Sequence, residues 1–476
     1  MKRHLPEAFT EMLRSYGISR CEEILCSLAD GEPSVAVRAN TRRGAVLSSG
    51  LEPVPWLAAS GAYLPERPVF ASDPAWHQGL YYVQDASSMA FTAIIKELSG
   101  YFDNRPLRYL DACAAPGGKT IAACEALPDG SLIVANEYDR SRAGILQENT
   151  AKYGYPDIVL TQGDAAAIGA LGECFDIIAV DAPCSGEGMF RKEPEAIRQW
   201  SHGLIESCAS TQRAIVEGVW NALRPGGILI YSTCTFNSAE DEEIVGHIIN
   251  NLGGESVELA CLAEYGCIEP QYRSYNLHGY HFFPGLVRGE GLFVAAIRKH
   301  DSSSRPMRKS KERQQKIMPT PLVADFARRH IKDCDRYSII STGNESYSLI
   351  ATEHKELCNA LVSKLKAIRT GLPLCTVKGK SIIPAWQLAY STALLQESFQ
   401  AIELDYAGAL RYLHGESLTD IPAGIAPGYT VATHGGIPLG FAKNIGRRAN
   451  NLLPDGLTLR LEPSKLPSPT PIIDLI

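Results

Sequence analysis

The chain has 476 residues, 45% of them hydrophobic, and a formal net charge of −7 from 46 Lys and Arg against 53 Asp and Glu. That balance excludes a disordered, collagen-like or disulfide-stapled chain, and at roughly 150 residues per domain it predicts about three domains. The acidic excess argues against a protein that coats nucleic acid non-specifically, though not against local basic patches.

No run approaches the roughly 20 apolar residues of a membrane span, and residues 1–7 carry no secretory pattern. The 13 cysteines stand in no C-x-x-C spacing. They point to free thiols in a reducing compartment, taken as the cytoplasm, and to no metal site.

In chain order, residues 1–100 form a small N-terminal module. It opens with a helical stretch over 6–28 and a strand over 34–40. A Gly-, Pro-, Ala- and Ser-rich segment follows over 44–80, with Trp56, Tyr63 and Trp76 that need burial. Arg38, Arg42 and Arg43 offer charge to RNA phosphate there.

From 101 to 299 strands and helices alternate. Strands are expected over 107–113, 131–138, 157–163, 175–181, 228–233, 256–260 and 293–298, several as unbroken apolar runs that suit burial on both faces. Helices are expected over 141–152, 210–223 and 239–251. This alternation predicts an α/β, Rossmann-like, doubly wound and mostly parallel sheet of seven strands, its ligand outside the carboxyl ends of the strands. Residues 300–319 read as a basic linker, flanked by Lys299 and containing Arg305, Arg308, Lys309, Lys311, Arg313 and Lys316. It is either a solvated hinge or a contact for RNA phosphate. Residues 320–370 form a small mixed segment, and 371–476 a β-rich C-terminal domain punctuated by Gly and Pro.

Three strand ends carry a nucleoside-cofactor pattern. Asp111 and Ala112 lead into Cys113-Ala114-Ala115-Pro116-Gly117-Gly118-Lys119-Thr120, a strand-to-helix turn. Its glycines allow close approach of a ligand, and its helix start offers free N–H groups. Lys119 has a competing reading as a surface lysine at that helix start. Glu137 ends the second strand, where a carboxylate can accept from a ribose. Asp164 follows the third strand, in reach of an adenine amino group. Each acid alone also reads as a helix cap. Neither a P-loop nor a dinucleotide fingerprint is present, so S-adenosylmethionine fits better than NAD.

The fourth strand ends in Asp181-Ala182-Pro183-Cys184-Ser185-Gly186, the fifth in Tyr231-Ser232-Thr233-Cys234-Thr235. Neighbouring parallel strands would set both thiols beside the cofactor. A thiolate that adds to carbon 6 of a pyrimidine makes carbon 5 nucleophilic, and a second thiol can serve as base or in release. Asp181 can hydrogen-bond the base at ring nitrogen 3. Buried core thiols are the competing reading, disfavoured by the Pro, Gly, Ser and Thr around them. Arg191 and Lys192 contact RNA or face solvent. Tyr231 is a base platform or a packing residue.

The runs 111–120, 181–186 and 232–235, together with Tyr82-Val83-Gln84-Asp85-Ala86-Ser87-Ser88-Met89, resemble the Nop/Sun family of RNA cytosine-5 methyltransferases. The length and Gly435-Gly436-Ile437-Pro438-Leu439-Gly440-Phe441-Ala442-Lys443 resemble its bacterial 16S ribosomal RNA branch, with a PUA-like RNA-binding C-terminal domain. The resemblance implies Cys234 as nucleophile and Cys184 as the group that aids release. It implies that Cys113, Ala114, Ala115, Pro116, Gly117, Gly118, Lys119, Glu137, Asp164 and Asp181 hold S-adenosylmethionine. The partner implied is ribosomal RNA in a small subunit or its precursor, bound by a monomer. Competing readings are a transfer RNA methylase, a non-catalytic ribosome assembly factor that binds the cofactor, and an NAD-linked oxidoreductase.

Overall fold

The computed structural model describes residues 3–265, 267, 277–300 and 320–474. Its centre is a nine-stranded sheet. In chain order the strands are β1 (Arg108–Asp111), β2 (Leu132–Glu137), β3 (Ile158–Gln162), β4 (Phe175–Asp181), β5 (Leu223–Thr233), β6 (Gly254–Val257), β7 (Tyr280–Phe282), β8 (Leu292–Lys299) and β9 (Lys366–Thr370). The spatial order is 6-8-5-4-1-2-3-9, with β7 on β8. Strands 3-2-1-4-5 run parallel; β8 and β9 pair antiparallel to their neighbours. All seven expected strands are present. The two additional ones are β7, a three-residue strand too short to carry a periodic signal, and β9, which comes from beyond residue 320.

Alternation along the strands builds two apolar layers. Tyr109, Ile133, Leu160, Ile177 and Ile230 face one core, which also takes in Ile121 of helix α1 (Gly118–Ala126) and Leu146 of α2 (Arg140–Tyr153). Leu110, Val134, Val159, Ile178 and Leu229 face the other, against α3 (His202–Trp220) and α4 (Glu242–Leu252). Helix α3 starts eight residues before the expected 210, because Ser201 caps it by accepting the Leu204 N–H at 3.2 Å.

The N-terminal stretch over 6–28 divides into two helices, Glu7–Ser15 and Cys21–Asp30. The break falls at Gly17, whose φ of +67° a glycine adopts without strain. They are followed by a four-stranded sheet that includes Val35–Ala39 and Gly61–Leu64.

In the C-terminal half a second four-stranded sheet joins Tyr337–Gly343 and Ser346–Ala351 to Leu372–Lys378 and Ser381–Pro384, so the boundary expected at 370 falls inside a sheet. A third contains the hairpin of Gly428–His434 and Ile437–Asn444. Its turn is Gly435-Gly436, both at positive φ, as a two-residue hairpin demands. Ile473–Asp474 returns to pair with Val46–Leu47 of the N-terminal module. Of the basic linker, residues 301–319 lie outside the described residues. Lys299 is no part of a solvated hinge: it is buried, and its ammonium donates to the carbonyls of Trp220 and Leu223 at 3.0 and 2.7 Å. Among the described residues no helix is long and apolar enough to cross a membrane.

Candidate active site

Reversal of strand order at β1, between β2 and β4, opens a crevice at the carboxyl edge of the sheet. A cavity of about 880 Å³ lies there. Cys113, Lys119, Glu137, Asp164, Asp181, Cys184 and Cys234 all line it. Ala114, Ala115, Pro116, Gly117 and Gly118 do not; they form the turn behind the wall.

That turn is held from two sides. Glu137 accepts the Ala115 N–H at 3.2 Å through one carboxylate oxygen and the Asp139 N–H at 2.9 Å through the other. From α2, Arg142 donates to the Ala115 carbonyl at 2.6 Å and Asn149 to the Pro116 carbonyl at 2.8 Å. Gly117 sits at φ +116°. A Cβ on Gly118 would stand 3.1 Å from the Gln84 amide. Asp164 both caps the turn that follows it, through the Ala166 N–H at 2.9 Å, and lines the cavity.

Lys119 is no surface lysine. Its side chain is 12% exposed, its ammonium lies 2.7 Å from Asp181 Oδ2, and it stands over the Phe91 ring at 5.2 Å. Burial lowers its pKa, but Asp181, by charge and hydrogen bond, with Cys234 and Asp111, carries it above the ordinary value. Asp181 Oδ1 accepts from the Ser232 hydroxyl at 2.9 Å. Beneath this pair Asp111 is fully buried and accepts from Thr120 at 2.6 Å. Burial pushes it up to about 7 against the Thr120 hydrogen bond, and the Asp181 charge adds to the rise. Burial likewise raises the Cys113 thiol.

Strands β4 and β5 are neighbours in parallel register, Asp181 opposite neither thiol but opposite Ser232. The two chains leave the sheet together, and Cys184 Sγ comes to 3.3 Å from Cys234 Sγ. The hydrogen bond to Cys234, then burial, hold Cys184 well above the ordinary thiol value, so Cys184 keeps its proton. All 13 cysteines are free.

Several expected RNA contacts are structural instead. Arg38 is fully buried and donates to Gln84 and Thr92 at 3.1 and 2.7 Å. Arg42 bonds Asp129 and the Leu127 carbonyl. Burial lowers Arg43 to about 10, and it donates to the Gln78 carbonyl. Arg191 pairs with Glu290 at 3.0 Å, side chains 7% and 5% exposed. Tyr231 packs in the core with its hydroxyl on the Glu240 carbonyl. Tyr138, Arg142, Met189, Ser210 and Thr211, none of them among the expected site residues, also line the cavity. Tyr138 and Arg142 follow Glu137 closely enough to have been found; the rest meet the cavity only through the fold.

One buried group of metal-ligating type occurs among the described residues, Asp241, Glu242 and His281. His281 already bonds Glu242 at 2.8 Å. Burial, then the Glu242 charge, raise Asp241 well above the usual carboxyl range.

The doubly wound sheet and the cavity at its carboxyl edge are those of a methyltransferase. Solved structures share the fold: NSun6 from Pyrococcus horikoshii with SFG, at TM-score 0.50 and 22% identity over 62% of this chain and 99% of that one, and PH0851, at 0.52 and 22% over 62% and 66%. Residues 103–298 match the family described as 16S rRNA methyltransferase RsmB/F, residues 5–86 the N-terminal domain of 16S rRNA methyltransferase RsmF, and residues 399–459 the methyltransferase RsmF PUA domain. Ribosomal RNA small subunit methyltransferase F of Serratia proteamaculans is 35% identical over 422 residues, 85% of this chain and 84% of that protein. Its namesake in Aeromonas hydrophila is 31% identical over 437 residues, 88% of each. The chain belongs to this family of RNA methyltransferases.

Proposed function

We propose that the protein methylates carbon 5 of a cytosine in 16S ribosomal RNA, with S-adenosylmethionine as donor, in the cytoplasm, where thiols stay reduced. The observation that carries this reading is the pair of thiols 3.3 Å apart on the wall of the cavity. The family supplies the substrate class. The cavity has room for a nucleoside-sized cofactor and a base turned out of its stack.

Glu137 and Asp164 line the part suited to an adenosine, on the same wall as Cys113. When bound, S-adenosylmethionine supplies an electrophilic methyl group. Cys234 adds its sulfur to carbon 6 of the base while ring nitrogen 3 takes up the thiol proton and the double bonds shift to C4–C5, which makes carbon 5 nucleophilic. Lys119 brings positive charge toward that sulfur, and Asp181 is placed to bind ring nitrogen 3. Once carbon 5 is methylated, its proton and the one on ring nitrogen 3 leave to water, the C5–C6 double bond re-forms and the C6–S bond breaks. Cys184 gives its proton to the departing sulfur and recovers one from water.

The test incubates wild type, Cys184→Ala and Cys234→Ala with S-adenosylmethionine and small ribosomal subunits. Cys184→Ala is expected to give a protein–RNA adduct that survives denaturation, lost when Cys234 is also replaced. Methyl transfer that persists in Cys234→Ala, with no adduct in Cys184→Ala, would overturn the mechanism.

A further inference from the structure

Two buried carboxylates lie under the thiols, and neither belongs to the cavity. Glu240 Oε2 accepts the Ser185 N–H at 3.0 Å and Gln212 Nε2 at 2.8 Å, and its Oε1 accepts Asn237 Nδ2 at 2.8 Å. The same Gln212 amide donates to the Pro183 carbonyl at 3.0 Å. Pro183 and Ser185 flank Cys184, so the Glu240–Gln212 unit grips the chain on both sides of that thiol. Glu187 works on the other loop: its oxygens accept the Phe236 N–H at 2.6 Å, Thr235 Oγ1 at 3.1 Å, Trp200 Nε1 at 2.9 Å and Asn237 Nδ2 at 3.0 Å. Cys234 directly follows strand β5, and its carbonyl accepts the Gly188 N–H at 2.7 Å, a bond that involves neither Glu240 nor Gln212.

We infer that Glu240, with Gln212, is a positioning residue for Cys184, and that it serves the release half of the reaction rather than the addition half. This rests on the cytosine-5 reading above. Glu240→Ala takes away the acceptor that serves Ser185, Gln212 and Asn237 together. The buried Ser185 N–H then loses its partner and the loop over 183–185 shifts. A displacement near 1 Å is enough to slow a proton transfer by roughly tenfold to a hundredfold. Asn237 keeps Glu187 and the Thr235 hydroxyl as acceptors, the Cys234 carbonyl keeps the Gly188 N–H, and Cys234 still adds to the base.

The experiment uses the full-length protein, S-adenosylmethionine and small ribosomal subunits, and follows both methyl transfer in a single turnover and the denaturation-resistant adduct. Glu240→Ala is expected to form the adduct at the wild-type rate and to release it at least about tenfold more slowly. Gln212→Leu removes the other half of the grip without touching a charge, and is expected to accumulate a smaller amount of the same adduct. Replacing Cys234 in either background must abolish it. If Cys184→Ala accumulates adduct while both variants lose turnover evenly without any, their role is merely structural and the inference falls. If Cys184→Ala itself accumulates none, the cytosine-5 reading falls instead.

Discussion

Asp111 offers a direct measure of what the buried charges under the cavity do to stability. Its carboxyl is fully buried, one oxygen bonded to Thr120 and the other without a hydrogen-bond partner. Burial, with the charge of Asp181, raises it from the ordinary 3.8 to about 7. A carboxyl raised by folding contributes stability that is fully present below its unfolded value and is lost as pH rises through the folded one. Integrated from pH 5 to pH 8, that loss is about 2.5 kcal/mol. Asp111→Asn keeps an acceptor for Thr120 and removes the titration. With an unfolding entropy of roughly 2.1 cal/mol/K per residue, the whole chain shifts about 1 °C per kcal/mol. Thermal melts at pH 5 and pH 8 are therefore expected to show the variant gaining about 2–3 °C on the wild type between them. Parallel pH profiles would refute the argument, because the carboxyl would then carry no buried titration.

Arg191→Met removes a guanidinium from a pair whose side chains are both under a tenth exposed; it should cost about 3–5 kcal/mol, seen as a lower Tm, while the salt dependence of RNA binding keeps its slope. A shallower slope, the loss of one neutralised phosphate, would restore this arginine to the RNA interface. Gly218→Ala puts a methyl 2.4 Å from the Ala166 Cα, where α3 crosses the turn over 165–171, and should lower stability by about 1–3 kcal/mol; an unchanged melting curve would contradict that packing.

The strands were legible because burial on both faces leaves a plain trace: Phe175–Asp181 is buried at all but its last residue. The thiol pair was legible for a topological reason, since neighbouring parallel strands deliver their carboxyl ends to the same edge. The arginines misled because a charged side chain ordinarily seeks water. The partners that bury Arg38 and Arg191, Gln84 and Glu290, lie 46 and 99 residues away along the chain. Glu187 and Glu240 went unnoticed for the same reason, as nothing local marks a carboxylate whose donors come from other loops. Nor does Lys366–Thr370 announce its partner; its pairing with Ile158–Gln162 is decided by which sheet edge the fold leaves open.

That last strand bears on how the protein is made. Until residue 370 has left the ribosome, β3 ends the sheet as an open edge with unpaired N–H and C=O groups. Such an edge invites pairing with another chain. The nascent methyltransferase unit therefore spends the synthesis of some two hundred further residues beyond β3, at about 5–20 residues per second, with its flank uncovered. A chain truncated after residue 300 keeps the cavity-lining residues but is expected to associate edge to edge, which makes the C-terminal half a guard of the enzyme as well as an extension of it.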